Sequence, residues 1–178
     1  MPTNGSHAVF RRLGLAGILA VAVVAAAAAE DYLGRDDFLA IAFGARKPEM
    51  QTLWLTRETR AAAEAAVGWA PTVLRLRYWQ AGERTAWILE DVGKEQPITL
   101  GVAVAGNRIE RVDVLAFRES RGWEIRYPFF TEQFSGLSLA DDGYLSAPID
   151  GITGATLSVR AVERVARLAL WLDAQVRG

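Results

Sequence analysis

No cysteine occurs among the 178 residues, and the single histidine is His7. Without thiols the chain has no disulfide, no c-type haem attachment, no cysteine-held iron–sulfur cluster and no lipidated cysteine. Beyond His7 there is no imidazole for a metal centre or a catalytic triad. Internal repeats, long linkers, a Gly-x-Gly-x-x-Gly nicotinamide loop and an acid–base pair for a substrate are also missing. Charge of one sign is scarce: 20 Lys and Arg stand against 21 Asp and Glu, and nothing forms the basic stripe of a nucleic-acid binder. Redox chemistry in such a chain has to come from a cofactor held by other means.

One long hydrophobic run is present. Arg11 and Arg12 precede an uncharged stretch from Leu13 to Ala29, which ends in Ala27-Ala28-Ala29 before Glu30. A basic flank, an apolar centre and small residues at the end read as a secretory signal peptide. An uncleaved membrane anchor is the alternative, although the run is near the lower length limit for a span and its second half is mostly alanine. Residues 1–29 are therefore expected to be a signal peptide or N-terminal membrane anchor. The rest of the chain is then expected in the periplasm or on the outer face of the inner membrane. Residues 30–178 make one domain of ordinary size, with 18 basic residues left against 21 acidic ones.

The periodicity within 30–178 predicts an α+β domain. Asp36-Asp37 followed by Phe38–Ile41 reads as a short helix starting at an acidic cap. Thr56 caps a second helix over Arg57–Val67, stopped by Gly68 and Pro71. Val73–Trp79 alternates Leu74, Leu76 and Tyr78 with Arg75 and Arg77, the two-residue period of a half-buried strand. Gln80–Glu83 turns the chain into Thr85–Glu90. Ile98–Ala105 and Arg108–Phe117 are joined by the hairpin dipeptide Gly106-Asn107. A last helix over Ser158–Val176 carries Val159, Val162, Val165, Ala169, Leu172 and Val176 on one face. The expected architecture is a twisted antiparallel sheet flanked by helices, with a long C-terminal helix after the motif described next.

That motif is Asp150-Gly151-Ile152-Thr153-Gly154-Ala155-Thr156-Leu157-Ser158. Its small residues permit close backbone approach, and the turn leads into a helix whose first N–H groups have no internal partner. A phosphate is well placed there. On physics alone, plain helix capping by a Ser or Thr is the favoured reading of a bare Gly-Ala-Thr. The full segment resembles the flavinylation motif of the FMN-binding domain family, known from flavin-bearing subunits of the Na⁺-translocating NADH:quinone reductase and Rnf complexes. Asp150, Thr153, Gly154, Ala155 and Thr156 match it without a gap.

The resemblance implies that a separate flavin transferase joins FMN, through its phosphate, to the Thr156 hydroxyl, with Ser158 as the runner-up acceptor. Asp150, Thr153, Gly154 and Ala155 become recognition and phosphate-surrounding positions. Upstream, Leu115–Trp123 resembles a family loop with a His and a Pro that are absent here, which leaves Glu119, Ser120 and Gly122 as candidate flavin contacts. Phe130–Gly136 is similar to the aromatic Phe…Gln-Phe-x-Gly stretch that follows. No catalytic residue and no metal ligand is assigned. The aromatics Tyr127, Phe129, Phe130, Phe134, Trp87, Trp123 and Trp171 are expected in the core. Lys94 is read as a solvated turn lysine, and two readings of Arg118, Arg121 and Arg126 stand equally: charges that favour a reduced, anionic flavin, or an exposed charged strand edge.

The resemblance implies an exported electron carrier served by a membrane redox partner, with no nucleic acid involved. Two other functions stay open: a flavin-dependent reductase acting directly on a small substrate, and a non-flavinylated secreted interaction module.

Overall fold

Gly106 and Asn107 both adopt left-handed backbone, at φ 56° and 61°, the geometry of a two-residue turn that matches strand twist. They join two of the three longest strands of the sheet. The computed structural model describes residues 30–178 together with Met1; the signal-peptide or anchor expectation for residues 1–29 lies outside the described residues. The elements run β1 (Glu30–Asp31), α1 (Arg35–Phe43), β2 (Glu49–Trp54), α2 (Arg57–Val67), β3 (Arg75–Ala81), β4 (Arg84–Val92), β5 (Pro97–Ala105), β6 (Arg108–Phe117), α3 (Pro128–Thr131) and α4 (Thr156–Arg177), with 3-10 turns at Trp123–Arg126 and Glu132–Phe134.

The strands form one sheet in the order β1-β6-β5-β4-β3-β2, and every neighbouring pair is antiparallel. The expected α+β class, antiparallel sheet and long last helix are all present. The α2 punctuation is also as expected, since the Thr56 hydroxyl accepts from the Thr59 N–H at 3.1 Å and Gly68 ends the helix at φ 73°. Several details differ, among them these. α1 begins at Arg35 after Gly34, which places Asp36 and Asp37 in its first turn rather than at its cap. There they face the positive end of the helix dipole. β2 and the short helices between 123 and 134 have no counterpart in the periodicity, and α4 starts at Thr156, two residues before the expected Ser158.

Helices cover both faces of the sheet. On one face Leu100, Val102, Val104, Val112 and Val114 meet Val162, Val165, Ala169 and Leu172 of α4, with Ala63 and Val67 of α2 in the same core. On the other face Phe38, Ala42 and Phe43 of α1 pack on Ala86, Ala103 and Leu115. Gly101 makes this second layer possible. A Cβ there would stand 2.7 Å from the Phe38 ring, well inside contact distance.

Polar contacts fix α4 along its length. Arg164 Nε lies 2.6 Å from Asp91 Oδ2 on β4. Near the C-terminal end the fully buried Asp173 accepts the Thr85 hydroxyl at 2.7 Å and pairs with Arg177 at 2.6 Å. Thr85 in turn accepts the Trp87 indole N–H at 3.0 Å, so one hydroxyl links Trp87 on the sheet to Asp173 on the helix. Burial pushes the Asp173 carboxyl above its ordinary value, against the pull of Thr85 and Arg177.

Candidate functional site

Three segments meet at the N-terminal end of α4: the turn 93–96 between β4 and β5, the loop 118–122 after β6, and the motif 150–158. Glu119 ties the first two together. Its Oε1 accepts three consecutive main-chain N–H groups, from Lys94 at 2.5 Å, Glu95 at 2.6 Å and Gln96 at 2.9 Å. Burial opposes ionisation of Glu119, but the three N–H donors, aided by Lys94, hold its carboxyl below the ordinary glutamate range. Glu119 thus shapes the site by fastening the turn, and that Oε1 is taken up by it.

Gly122 ties the loop to the helix. A Cβ at this position would stand 2.7 Å from Ser158 Oγ and 3.3 Å from Ala155 Cβ, and its φ of 88° suits glycine. The absent side chain lets the loop lie directly on the first turn of α4. Between these segments opens a cleft of about 600 Å³, lined by Lys94, Glu119, Ser120, Arg121 and the run Gly154–Ser158. Thr156 also borders a second cleft of about 360 Å³, formed by Gly151, Ile152, Thr153, Val159, Arg160 and Glu163.

The helix terminus is left open to a ligand. Its cap position is Ala155, which has no side-chain acceptor, so no side chain caps the first turn. Gly154 at φ 85° reverses the chain just before it. Thr156, the first helical residue, is exposed, whereas Ser158 is 5 % exposed. Ser158 does not cap the helix, because it is the third helical residue and lies beneath Gly122. Thr156 therefore presents a hydroxyl at the positive end of a 22-residue helix. Lys94 and Arg121 border the first cleft and Arg160 the second. That donor set suits a phosphate.

Asp150 stands apart from both clefts. Its main chain is held by the Gln133 side chain, with the Asp150 N–H donating to Gln133 Oε1 at 2.7 Å and Gln133 Nε2 donating to the Asp150 carbonyl at 3.4 Å. The Asp150 residue is exposed. Among the candidates, Thr153, Gly154, Ala155, Thr156, Ser158, Glu119 and Ser120 line a cleft, Gly122 supports one, and Asp150 flanks the set.

Several side-chain expectations change. Phe130, Phe134, Trp87 and Trp171 are core residues, but Trp123, Tyr127 and Phe129 are exposed. They form a surface row in which the Arg126 guanidinium stands over both Trp123 and Tyr127. Arg118 is not an exposed edge residue, since it donates to the Pro97 carbonyl and the Thr99 hydroxyl. Lys94 pairs with Glu95 in solvent at 3.0 Å, as a turn lysine does, yet its turn borders the Thr156 cleft. Arg160 and the Gln133 clamp were missed by the sequence reading. The only signal for Gln133 was its place in the Phe…Gln-Phe-x-Gly stretch. Among the described residues no group of His, Asp and Glu is arranged to hold a metal.

An uncapped helix terminus, a small-residue turn and basic neighbours offer an anion a place at the start of a helix packed on an antiparallel sheet. Residues 93–170 match the family model of the FMN-binding domain. Flavin mononucleotide is the ligand this domain supports. No match was found among curated proteins.

Proposed function

We propose that the protein is an exported electron carrier whose FMN is joined by a phosphoester to Thr156. A separate flavin transferase makes the bond, and the carrier passes electrons from a membrane redox partner to an extracytoplasmic acceptor. The carrying observation is Thr156 itself, an exposed hydroxyl at an uncapped helix start inside an FMN-binding domain. Attachment forms the bond between Thr156 Oγ1 and the phosphorus of the FMN half of FAD. The pyrophosphate bond breaks, AMP leaves, and the hydroxyl proton passes to the transferase or to water. FMN, once bound, supplies the electron-accepting ring. The chain's own part is to receive the phosphate at the N–H groups of Thr156, Leu157 and Ser158, with Lys94 and Arg121 nearby to offset its charge. The linkage needs neither Cys nor His, and the mature chain has neither. Export is supported by the basic–apolar–small order of residues 11–29.

Co-expression with a flavin transferase is expected to give yellow protein whose colour survives denaturation, with the mass raised by one FMN less one water. Thr156→Val removes the nucleophile with little change of shape and is expected to stay colourless, while Ser158→Ala remains modified. A peptide carrying the label at Ser158, or a Thr156→Val protein that keeps its flavin through denaturation, overturns the assignment.

A further inference from the structure

The residue that presents the modification loop lies outside it, on the segment between α3 and the end of the second 3-10 turn. From Ala147 to Gly154 the loop makes few main-chain hydrogen bonds. Its neighbours are tied, with the Ser146 N–H bound to the Ser138 carbonyl at 2.9 Å and the Ala155 N–H to the Ile152 carbonyl at 3.0 Å. Between these two points Ile149 and Ile152 pack against the core, and the hydrogen-bonded tether of the segment is Gln133, which accepts from the Asp150 N–H at 2.7 Å and donates to its carbonyl at 3.4 Å. A single side-chain amide thus acts on both polar groups of one residue, as a neighbouring strand would.

The clamp stands on a rigid base. Phe130 and Phe134, on either side of Gln133 in sequence, are both fully buried, with their rings edge to face at 5.5 Å. Gln133 Nε2 also reaches the Phe129 carbonyl at 3.4 Å, which restrains the amide itself. Because Gln133 uses only the main chain of Asp150, the Asp150 carboxylate remains exposed. The clamp sets where that charge stands, six residues ahead of Thr156.

We propose that Gln133 is a positioning residue for covalent modification of Thr156, acting through Asp150 by holding its carboxylate toward the approaching modifying enzyme. This rests on Thr156 being the acceptor. Loss of the clamp leaves the nucleophile and the helix terminus intact and loosens the main chain at Asp150, between the packed Ile149 and Ile152, so the encounter with the transferase suffers rather than the chemistry.

The test uses the full chain as its host produces it, purified transferase with FAD and Mg²⁺, and intact mass as the readout of flavin incorporation. Gln133→Met keeps length and apolar contact but removes both hydrogen-bonding atoms. Its expected result is a rise in the KM for acceptor protein of about tenfold, the equivalent of one well-made hydrogen bond, with kcat little changed. In an Asp150→Asn background the same substitution is expected to add almost nothing, because Gln133 works through that carboxylate. Hydrogen exchange on the unmodified protein supplies an independent measure: the Asp150 amide is expected to exchange faster in Gln133→Met. An unchanged KM, an equal loss in the Asp150→Asn background, or unchanged exchange at Asp150 each overturns the role given to Gln133. Failure of the wild-type protein to take up flavin overturns the acceptor assignment instead, and this inference with it.

Discussion

Thr156 and Ser158 stand two residues apart in the same helical turn, yet only one has an accessible hydroxyl. Thr156 is exposed, while Ser158 lies directly under Gly122, where an added Cβ would stand only 2.7 Å from Ser158 Oγ. Sequence alone offers both as acceptors, since the distinction depends on a loop some 35 residues upstream. Gly122→Ala should therefore push on Ser158 and also force alanine into left-handed backbone. A cost of about 1–3 kcal/mol is expected, read as a lower midpoint in urea, together with slower flavin incorporation at Thr156. Ser158→Gly combined with it should recover part of the stability by removing the hydroxyl. Glu119 gives the second prediction at this scale. Its carboxyl is held below the ordinary value of 4.5, so the stability it contributes is present above that pH and is lost as pH falls through the lowered value. Glu119→Gln keeps the shape but loses the charge behind three N–H contacts. It should cost about 1–2 kcal/mol at neutral pH, and the gap from wild type should narrow below about pH 4.5. A gap that persists unchanged at pH 3 would show that the carboxylate charge is not what holds the turn.

At the scale of elements, α4 links the sheet to the site. Its buried face includes Leu172, which is fully enclosed, and Leu172→Ala is expected to cost about 2–5 kcal/mol through the cavity left behind. An unchanged denaturation midpoint would contradict that packing. The sequence made this helix legible because its apolar positions recur at the helical period over many turns. The Gly106-Asn107 hairpin and the Thr56-to-Gly68 limits of α2 were legible for a different reason, as each rests on local backbone chemistry. β2 was not, because its residues are mostly exposed and lack alternation; its pairing with β3 from Glu49↔Gln80 to Trp54↔Arg75 fixes it. The short helices from Trp123 to Phe134 were missed because single turns have no period to detect. Gln133 went unseen as a clamp for a related reason: its partner Asp150 is distant in sequence, and only the folded chain brings them together.

The whole molecule is larger than the segment that carries its family signature. Residues 93–170 contribute β5, β6, the short helices and most of α4, yet they cannot close a core by themselves. β4 pairs with β5 along its whole length, from Arg84↔Ala105 to Val92↔Pro97, and α4 rests on β4 through Arg164–Asp91 and Asp173–Thr85. Trp87 and Leu89 of β4, Leu76 and Tyr78 of β3, and Ala63 and Val67 of α2 all belong to the core that α4 covers. Removing residues 30–92 would leave the inner edge of β5 unpaired and expose the α4 face that meets Trp87, an arrangement prone to aggregation. A chain of residues 93–178 should accordingly give no cooperative thermal transition and poorly dispersed amide resonances, while residues 30–178 should unfold in one cooperative step. The shorter chain should also be a poor acceptor for the transferase despite retaining the whole motif from Asp150 to Thr156. That loss would follow because an uncapped helix terminus is presented in a fixed place only when the helix is docked. A cooperative transition in the 93–178 chain, or flavin incorporation there at the rate of the full domain, would show that the first half of the domain is dispensable to the site.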